Sequence, residues 1–542
     1  MEQFLVPLFQ SALSELGAPP ELAVKFEVPQ NADHGDLSTN VAMTLAKHLK
    51  RAPRELAQDL IGRLPLDSGR IKSIGIAGPG FINISFSQHY LTQQLRALIA
   101  AGPSFGRSGV HQDETVNLEW VSANPTGNLH AGHGRQVCLG AAIANLLEWT
   151  GSTVTREYYF NNAGNQMRNL AASVRVRYLQ LLGDEIELDD DGYRGSEIVE
   201  IGRRIVEEFG DEKRTAPPSF FQSYGEQANF KSIQSTLDRL GVHHDIFFNE
   251  NSLYDSGAIE ATIEEFKSRG LAYDKDGALW LRLSEMGEKE DRVIVKSTGE
   301  PTYRLPDICY HRNKLSRGYD RIIDIFGADH IATIPDVLAG LRGLGYDTDR
   351  VKVVIHQMVS FVAGEETIKF SKRSGGTYTL DELLDDVGTD AAKFFFNMRA
   401  AGSHLEFDIE LAKQQSEKNP VYYVQYAHAR IASILRFAHQ ENLSVSDDAD
   451  LSSLEHPEEL TLIKVLLRFP QTVERSTEAF APHHICEYLR EVAAQFHKFY
   501  HDCRIVGSGE PKQSARLALA HATKSILAGG CQILGVNAPE SM

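Results

Sequence analysis

The chain has 542 residues, of which 42% are hydrophobic and 24% are charged, and its formal net charge is -18 at pH 7. A chain of this length is expected to form several domains, and its ordinary composition excludes a disordered protein and a membrane protein. The acidic balance weakly disfavours a nucleic-acid partner, although an acidic enzyme can still hold RNA along a local basic or aromatic surface.

The cysteines and the N-terminal segment bear on the cellular compartment. The five cysteines are scattered and include no CxxC pair, so we expect reduced thiols rather than a zinc site or a disulfide framework. The first residues lack the pattern of a signal peptide, and no apolar run approaches the roughly 20 residues that cross a bilayer. We therefore expect a cytoplasmic protein that does not enter a membrane.

The first segment, residues 1–108, is predicted to be an α+β module. It begins with an amphipathic helical pattern and continues to IKSIGIAGPGFINISFS, in which Gly78, Pro79 and Gly80 interrupt a β-branched alternation. This pattern predicts two short strands joined by a turn. The glycine- and serine-rich residues 102–109 are typical of a linker, and they mark the first domain boundary.

Residues 109–406 are predicted to form a parallel-sheet core. The run TVNLEWVSAN predicts a strand, and GHGRQVCLGAAIANLLEW after it has helical periodicity. The later strands predicted from DRIIDIFG and VKVVIH alternate with helices, which favours a Rossmann-like open sheet with its site beyond the strand carboxyl ends. Residues 165 to 240 are interpreted as a charged helical insertion. Residues 407–542 are predicted to form an all-α bundle.

The segment SANPTGNLHAGHGR places two histidines three residues apart, where a strand has ended and a helix begins. The spacing puts the imidazoles of His130 and His133 on one face, beside the unpaired N–H groups and positive dipole end of the helix, which favour a polyphosphate. Gly132 leaves room for a flat base. Taken alone, the HxxH pair could also be a chance pair or half of a metal site.

The segment IKFSKRSGGTYTLDELL contains a second motif, in which Lys369, Ser371, Lys372 and Arg373 precede two glycines and a predicted helix. Lysines on such a loop can neutralise the charge that develops on a departing pyrophosphate. A solvated basic turn is the common alternative for a run of this kind. The order of the two motifs and their structural settings argue against chance.

The HAGH and KFSKR segments resemble the HIGH and KMSKS signatures of class I aminoacyl-tRNA synthetases. The resemblance implies that an amino acid attacks the α-phosphorus of ATP, bound as its Mg²⁺ complex without a structural metal, and that the acyl group then passes to tRNA. The implied catalytic residues are His130, His133, Lys369 and Lys372. The implied ATP-binding residues are His130, Gly132, His133, Ser371, Lys372 and Arg373.

Four further segments resemble bacterial arginyl-tRNA synthetases in particular: SANPTGNLHAGHGR, REYYFNNAGNQ, FNENSLYDSG and PTYRLPDICYHRNK. The resemblance implies that the protein activates L-arginine as arginyl-adenylate and transfers it to the terminal adenosine of tRNA(Arg). Carboxylates placed for bidentate bonds are what a planar guanidinium requires. Taken singly, such residues are also typical of helix caps, surface acids or core aromatics. The implied arginine-binding residues are Asn124, Glu250, Tyr303 and Asp307.

The resemblance also implies how tRNA is held. The C-terminal bundle is implied to bind the anticodon through Tyr423, Tyr426, Tyr500 and Met542, although aromatics at such spacing are more often core residues. The N-terminal module is implied to contact the outer corner of the tRNA. Its candidate contacts are Phe81 and Asn83, for which a buried strand end is the alternative.

The two motifs also allow other functions for this chain. A different class I synthetase, a small nucleotidyltransferase with an HxGH site and a tRNA-binding paralogue without catalysis are the rival interpretations. The family resemblance implies that arginine activation requires bound tRNA, and we expect a monomer. Asn162 departs from the family, because an aspartate is usual at this position of the NDAG stretch.

Overall fold

The computed structural model describes residues 2–29, 31–364, 366–367, 378–446 and 448–542 of the chain. An N-terminal α+β module, a parallel-sheet core and C-terminal helices share one apolar cluster, to which Phe9, Ile143 and Phe469 each contribute from a different region. The predicted multidomain α/β fold with an all-α C-terminal region is confirmed. None of the helices in the described residues has the length and apolarity needed to cross a membrane.

The N-terminal module combines a small antiparallel sheet with four helices. Its elements are α1 (Leu5–Glu15), β1 (Leu37–Thr39), α2 (Val41–Leu49), α3 (Pro53–Arg63), β2 (Ile71–Ala77), β3 (Phe81–Phe86) and α4 (Gln88–Ala101). The strand order is β1-β3-β2. Ile82 and Ile84 are buried, so Phe81 and Asn83 lie on the opposite face of β3. The predicted turn is present, with Gly78 at φ 51°.

The central region contains a parallel sheet, a helical insertion and two small sheets. Its elements are β4 (Thr115–Glu119), α5 (His133–Trp149), β5 (Thr153–Phe160), α6 (Asn165–Leu181), α7 (Ser196–Phe209), α8 (Pro218–Arg239), β6 (Ile246–Asn249), α9 (Asn251–Asp255), α10 (Ala258–Ser268), β7 (Ala272–Lys275), β8 (Ala278–Leu281), β9 (Arg292–Val295), α11 (Arg304–Ser316), β10 (Arg321–Gly327), α12 (Ile334–Gly343), β11 (Val351–His356), β12 (Val359–Ala363), β13 (Glu366–Thr367), α13 (Leu380–Val387), α14 (Thr389–Asn397), β14 (Leu405–Asp408) and α15 (Ile409–Lys413). Five strands form the parallel sheet in the order β11-β10-β4-β5-β6. The strands predicted in this region therefore lie side by side.

The two faces of the parallel sheet bury different kinds of side chain. Val116 and Leu118 of β4 belong to the apolar cluster that includes α5. Because successive strand residues point to opposite faces, Asn117 and Glu119 of β4 face the other way. There Glu119 is hydrogen-bonded to Lys314 of α11. One face of the sheet is therefore an apolar core, and the other carries buried charge beneath α11.

Three helices, α6, α7 and α8, occupy the predicted insertion between β5 and β6. They enclose an apolar cluster of their own, which includes Tyr178, Ile201 and Phe221. The C-terminal end of α8 returns to the core of the domain, where the Arg239 guanidinium lies 2.5 Å from the Asp381 carboxylate of α13. The insertion is thus connected to the core at the C-terminal end of its last helix.

Two small sheets lie outside the sequence-based prediction. The antiparallel order β7-β8-β9 stands between α10 and α11, and β12 pairs in parallel with β14 and antiparallel with β13. Strands of two to five residues are too short for alternation to distinguish them from loops. β14 extends across the boundary predicted after residue 406.

The C-terminal region is a bundle of long helices packed against the core. Its elements are α16 (Pro420–Gln440), α17 (Pro457–Leu466), α18 (Phe469–Glu478), α19 (His483–Asp502) and α20 (Lys512–Leu534). Phe469 of α18 lies edge-to-face with Trp149 at the end of α5, with 6.3 Å between ring centroids. The bundle therefore rests directly on the helix that follows the HAGH segment.

Candidate active site

The carboxyl ends of the five parallel strands meet at one edge of the sheet, and the candidate residues follow them. Asn124 lies after β4, Asn162 after β5, Glu250 directly after β6, and β11 ends at His356. The chain runs outward from β4 to β6 and then returns to the other side of β4 with β10. Open α/β sheets bind ligands beside such a reversal of strand order.

The two histidines of HAGH form one compact unit at this reversal. Their rings stack with centroids 3.5 Å apart, which confirms that the spacing places them on one face. The backbone N–H of His130 donates to Nδ1 of His133 at 3.1 Å. Gly132 lies against the His130 ring, where an added Cβ would be 3.0 Å from Cε1 and Nδ1. A side chain at this glycine would therefore press on the imidazole.

Burial keeps both imidazoles neutral at physiological pH. Burial, together with the neighbouring His130 and His356, lowers the pKa of His133 to about 3. Burial also lowers the pKa of His130. Because Nδ1 of His133 accepts a hydrogen bond, the single proton of its neutral ring is on Nε2. His133 can therefore donate that proton in a hydrogen bond without carrying a charge.

The HAGH segment is paired with the residues that follow the KFSKR motif. The N–H of Ala131 donates to the carbonyl of Tyr378 at 2.9 Å, and the N–H of Leu380 donates to the carbonyl of Leu129 at 2.7 Å. His130 and Thr379 form an antiparallel bridge. The structure thus brings the histidines beside the start of α13, although the two segments are far apart in sequence.

The KFSKR motif itself lies outside the described residues. This applies to Lys369, Ser371, Lys372 and Arg373, whose proposed roles rest on the sequence. The chain is described up to Thr367 on one side and from Tyr378 on the other.

Glu250 is a buried carboxyl at the end of β6. It is 7% exposed, and burial raises its pKa to about 7. The hydroxyl of Tyr159 is hydrogen-bonded to it, and this bond opposes the effect of burial by lowering the carboxyl pKa. Tyr159 was not predicted from the sequence, since a tyrosine within a buried strand is typical of a core residue. Its ring packs on Phe248, with 6.0 Å between centroids.

Asp307 lies in the first turn of α11 and shares the surroundings of Glu250. Burial, with a smaller contribution from the charges of Glu119 and Glu250, raises the pKa of its carboxyl to about 7. The backbone N–H of Asp307 donates to the carbonyl of Tyr303 at 3.2 Å, as the predicted helical spacing requires. Tyr303 is 59% exposed, so its ring stands at the surface of this region. The two carboxyls thus influence each other's charge, and neither forms an ion pair with a cation among the described residues.

Asn124 and Asn162 are held by neighbouring polar side chains. The Asn124 amide donates to Oε1 of Gln166 at 2.5 Å. The Asn162 amide is buried and donates to Oε1 of Glu226 on α8 at 2.7 Å. This second contact gives a physical reason for the departure at Asn162, because an aspartate would place a second carboxylate against Glu226.

A buried charge network lies between α11 and the parallel sheet and supports the start of α11. Lys314 is fully buried and bridges Glu119 of β4 and Asp324 of β10. His311 contacts Asp324 through Nε2 at 3.0 Å and the carbonyl of Asp307 through Nδ1 at 2.8 Å. Both partners of His311 only accept hydrogen bonds, so both ring nitrogens carry protons and the ring is an imidazolium. Two cations thus balance two carboxylates beneath the turn that holds Asp307.

The aromatic side chains proposed to hold tRNA are grouped on α16 and α19. The Arg430 guanidinium donates to the Tyr426 hydroxyl at 3.0 Å and to the Tyr500 hydroxyl at 3.4 Å. Tyr423 packs on His497, with 5.1 Å between ring centroids. A groove of about 900 Å³ beside them is lined by Arg430, Ile434, Phe437, Tyr500 and Ile505, among others.

Of the remaining candidate residues, Met542 and Phe81 are exposed and Asn83 is half-buried. Met542 is 54% exposed and follows a tail that is held against α16, where His428 contacts the carbonyl of Pro539 at 2.8 Å. Phe81 is 36% exposed, and Asn83 accepts a hydrogen bond from the Ser38 hydroxyl at 2.7 Å. The outward face of β3 is therefore accessible to solvent at the start of the strand. Within the described residues, no group of His, Cys, Asp and Glu side chains is arranged to hold a metal ion.

Comparison with known families accounts for most of the chain. Residues 4–86 match the arginyl tRNA synthetase N terminal domain, and residues 94–400 match the catalytic domain of class I (R) tRNA synthetases. Residues 424–542 match the DALR anticodon binding domain.

Relatives and solved structures agree with these matches. The chain is 46% identical to an arginine–tRNA ligase of Salinibacter ruber and 40% identical to one of Bacillus subtilis, over all of this chain and at least 98% of each relative. A putative arginyl tRNA synthetase structure from Campylobacter jejuni covers 84% of this chain and all of its own, with TM-score 0.77 and 32% identity. The arginyl-tRNA synthetase of Thermus thermophilus shares the fold over both full lengths, with TM-score 0.80 and 21% identity.

Proposed function

The chain belongs to the arginyl-tRNA synthetase family, and on that premise we propose roles for its residues in joining arginine to tRNA(Arg). Its reaction is that of an arginine–tRNA ligase. Arginine and ATP give arginyl-adenylate and pyrophosphate, and the arginyl group then passes to the terminal adenosine of the tRNA with release of AMP. The observation that carries the proposed roles is the pair of buried carboxyls, Glu250 and Asp307, at the sheet edge that also carries the stacked histidines of HAGH.

Glu250 and Asp307 are proposed to bind the guanidinium of arginine. Burial raises the pKa of each carboxyl to about 7, so the empty pocket holds acids that a cation would convert to carboxylates. A guanidinium is planar and permanently charged, and it makes paired hydrogen bonds with carboxylates that an ammonium cannot match. Tyr159 orients Glu250, and the imidazolium of His311 supports the turn that carries Asp307.

Asn124 and Tyr303 are proposed to complete the arginine pocket. The Asn124 side chain lies after β4, at the strand edge where the α-amino and carboxylate groups of a substrate would face the ATP site. Tyr303 lies one helical turn before Asp307 and is exposed, which suits a residue that covers a bound ligand. Both assignments rest on the family resemblance together with these positions.

His130, Gly132 and His133 are proposed to hold the phosphates of ATP. A neutral His133 with its proton on Nε2 donates a hydrogen bond to a phosphate oxygen, and the close approach of Gly132 to His130 keeps the pair stacked. Lys369 and Lys372 are proposed to neutralise the departing pyrophosphate, and Ser371, Lys372 and Arg373 are proposed to bind ATP. Charge that develops only in the transition state is best stabilised by groups already aimed at it. Mg²⁺ is proposed to enter with ATP as part of the substrate.

The tRNA is proposed to bind across three domains, comprising residues 1–108, 109–406 and 407–542. The anticodon bases would stack on the aromatic group of α16 and α19, since unpaired bases bind to aromatic rings and arginine planes. The proposed contacts are Tyr423, Tyr426, Tyr500 and Met542 in the bundle and Phe81 and Asn83 in the N-terminal module. We further propose a monomer that works in the cytoplasm, where its five buried thiols stay reduced.

A charging assay over all amino acids tests the proposed function. With ATP, Mg²⁺ and a tRNA(Arg) transcript, we expect acid-precipitable label from arginine and background counts from the other amino acids. Charging of a different amino acid would refute the pocket assignment, and charging of none would refute the catalytic assignment.

A further inference from the structure

One face of α8 contacts the loop that leads into the HAGH segment. The Asn229 amide donates to the carbonyl of Pro125 at 2.8 Å, and Asn229 is 2% exposed. One turn further along, the Ser232 hydroxyl donates to Oδ1 of Asn128 at 2.7 Å. The helical insertion is therefore bonded directly to the residues just before His130.

The same face of α8 continues to a three-point contact with α13. The Arg239 guanidinium reaches the Asp381 carboxylate at 2.5 Å through Nη1 and the Asp385 carboxylate at 2.6 Å through Nη2. The buried Thr236 hydroxyl donates to the other Asp381 oxygen at 2.5 Å. Asp381 and Asp385 are one helical turn apart, so the planar guanidinium spans a full turn of α13.

The residues at the start of α13 are those that pair with HAGH. Leu380 opens α13, and its N–H donates to the carbonyl of Leu129 at 2.7 Å. The N–H of Ala131 donates to the carbonyl of Tyr378 at 2.9 Å. Arg239 therefore holds the partner segment of the histidines, while Asn229 and Ser232 hold the loop before them. Both flanks of His130 depend on one helix face.

We propose that Arg239 is a positioning residue for the ATP-dependent step, acting through α13 on the placement of His130 and His133. This inference rests on the proposed role of the two histidines in binding ATP. Ion pairs as exposed as Arg239 with Asp381 contribute little to global stability, because water screens them. A small displacement of a reacting group can nevertheless slow a reaction by as much as about 100-fold. Arg239 thus affects ATP chemistry more strongly than folding.

The inference is tested with Arg239→Gln and Arg239→Lys in full-length protein. Arginine-dependent ATP–pyrophosphate exchange is measured with saturating tRNA(Arg), and the KM for ATP, the KM for arginine and the urea unfolding midpoint are determined. We expect Arg239→Gln to lower kcat/KM for ATP about 10-fold while the KM for arginine stays within about twofold of wild type. Arg239→Lys should recover part of the loss, because an ammonium can reach one carboxylate.

A matched control and a second variant separate positioning from general damage. Arg203→Gln removes an exposed arginine of α7 that pairs with Glu200, and it should behave as wild type. Asp381→Asn removes only the ion pair of Arg239 with Asp381 and leaves the contact between Arg239 and Asp385. If Arg239→Gln does not fold, a lower kcat/KM for ATP in Asp381→Asn tests the positioning role instead. The double variant Arg239→Gln/Asp381→Asn should be about as slow as Arg239→Gln alone, because Arg239→Gln has already removed the ion pair with Asp381 that the second change affects.

Different results overturn different claims. Full kcat/KM for ATP in Arg239→Gln, or an equal loss for ATP and arginine, would overturn the positioning role while leaving the proposed function intact. A loss that tracks only a lowered unfolding midpoint and is not restored by Arg239→Lys would also overturn it. Absence of exchange in the wild-type protein would instead overturn the proposed function.

Discussion

The hydroxyl of Tyr159 is hydrogen-bonded to the carboxyl of Glu250 at the carboxyl edge of the parallel sheet. Burial raises the pKa of the Tyr159 phenol well above its usual range, and the charges of Glu250 and Asp307 raise it further. Asp307 is therefore close enough to act on the same tyrosine. The pocket thus collects acidic groups around one hydroxyl. Burying carboxylates without a cation is unfavourable, so we expect the guanidinium of a bound arginine to supply the opposite charge.

We predict that arginine binds more tightly as the pH rises through 7. Burial raises the pKa of Glu250 and of Asp307 to about 7, and a guanidinium favours the ionised form of each. Below that pH, binding must displace protons, so affinity falls roughly tenfold per pH unit for each carboxyl involved. Titration calorimetry at pH 6 and pH 8, in two buffers of different ionisation enthalpy, measures the affinity for arginine and the number of protons released on binding. Binding without proton release at pH 6 would contradict the assignment.

We predict that Glu250→Gln weakens arginine binding and stabilises the empty protein. Loss of one partner of a buried charge pair should raise the KM for arginine about 30-fold or more. The folded pKa of Glu250 is raised from 4.5 to about 7, so its ionisation costs stability as pH rises above 4.5. The glutamine removes that cost, which we expect to be about 1–3 kcal/mol at pH 8 and close to zero at pH 4.

Urea unfolding of the arginine-free protein at both pH values measures the stability change. Glu264→Gln, at an exposed glutamate of α10, is the matched control and should alter neither the KM for arginine nor the stability appreciably. Equal stability of Glu250→Gln and wild type at pH 8 would show that ionised Glu250 does not destabilise the arginine-free protein, against this prediction.

We predict that Asn162→Asp destabilises the protein in a pH-dependent way. The new carboxylate would face Glu226, whose oxygen lies 2.7 Å from the Asn162 amide nitrogen. Like charges raise the folded pKa of such a pair, so the penalty grows from about pH 4 upward and should reach about 1–3 kcal/mol at pH 8. Thermal unfolding at pH 5 and pH 8 checks the difference. The control Asn165→Asp places a carboxylate beside Arg168 on the exposed start of α6 and should not be destabilising.

We predict that Lys372→Ala slows catalysis more than it weakens arginine binding. Removal of a group that stabilises only the transition state should lower kcat about 100-fold, with the KM for arginine within about threefold of wild type. Lys267→Ala, at an exposed lysine of α10, is the control. Single-turnover adenylate formation distinguishes the chemical step from product release. An unchanged rate of that step in Lys372→Ala would refute the proposed role of this lysine.

Local motifs were predictable from the sequence because their geometry is set by neighbouring residues. His130 and His133 stack as their spacing predicts, and Tyr303 and Asp307 share one helical turn. The pairing of Leu129 with Leu380 could not be predicted, because two ordinary leucines carry no sign of a contact made by distant segments. The structure adds this pairing, and with it the physical connection between HAGH and the start of α13.

The buried polar residues were the least predictable part of the site. Lys314 belongs to a helical segment in which a lysine is typical of an exposed face. It is fully buried because Glu119 and Asp324 approach it from two adjacent strands of the sheet. Arg239 likewise follows an ordinary helical pattern, and its two carboxylate partners are visible only once α8 and α13 are packed together. Such residues depend on tertiary contacts that periodicity does not encode.

Two buried carboxyls, Glu250 and Asp307, are proposed to select the guanidinium of arginine. The most direct test is to compare tRNA(Arg) charging with arginine, lysine and citrulline, because citrulline matches arginine in shape but has no charge. The structure predicts charging with arginine and background levels with the other two, since neither a lysine ammonium nor a neutral ureido group satisfies both Glu250 and Asp307. Charging with citrulline at a rate comparable to arginine would contradict the claim.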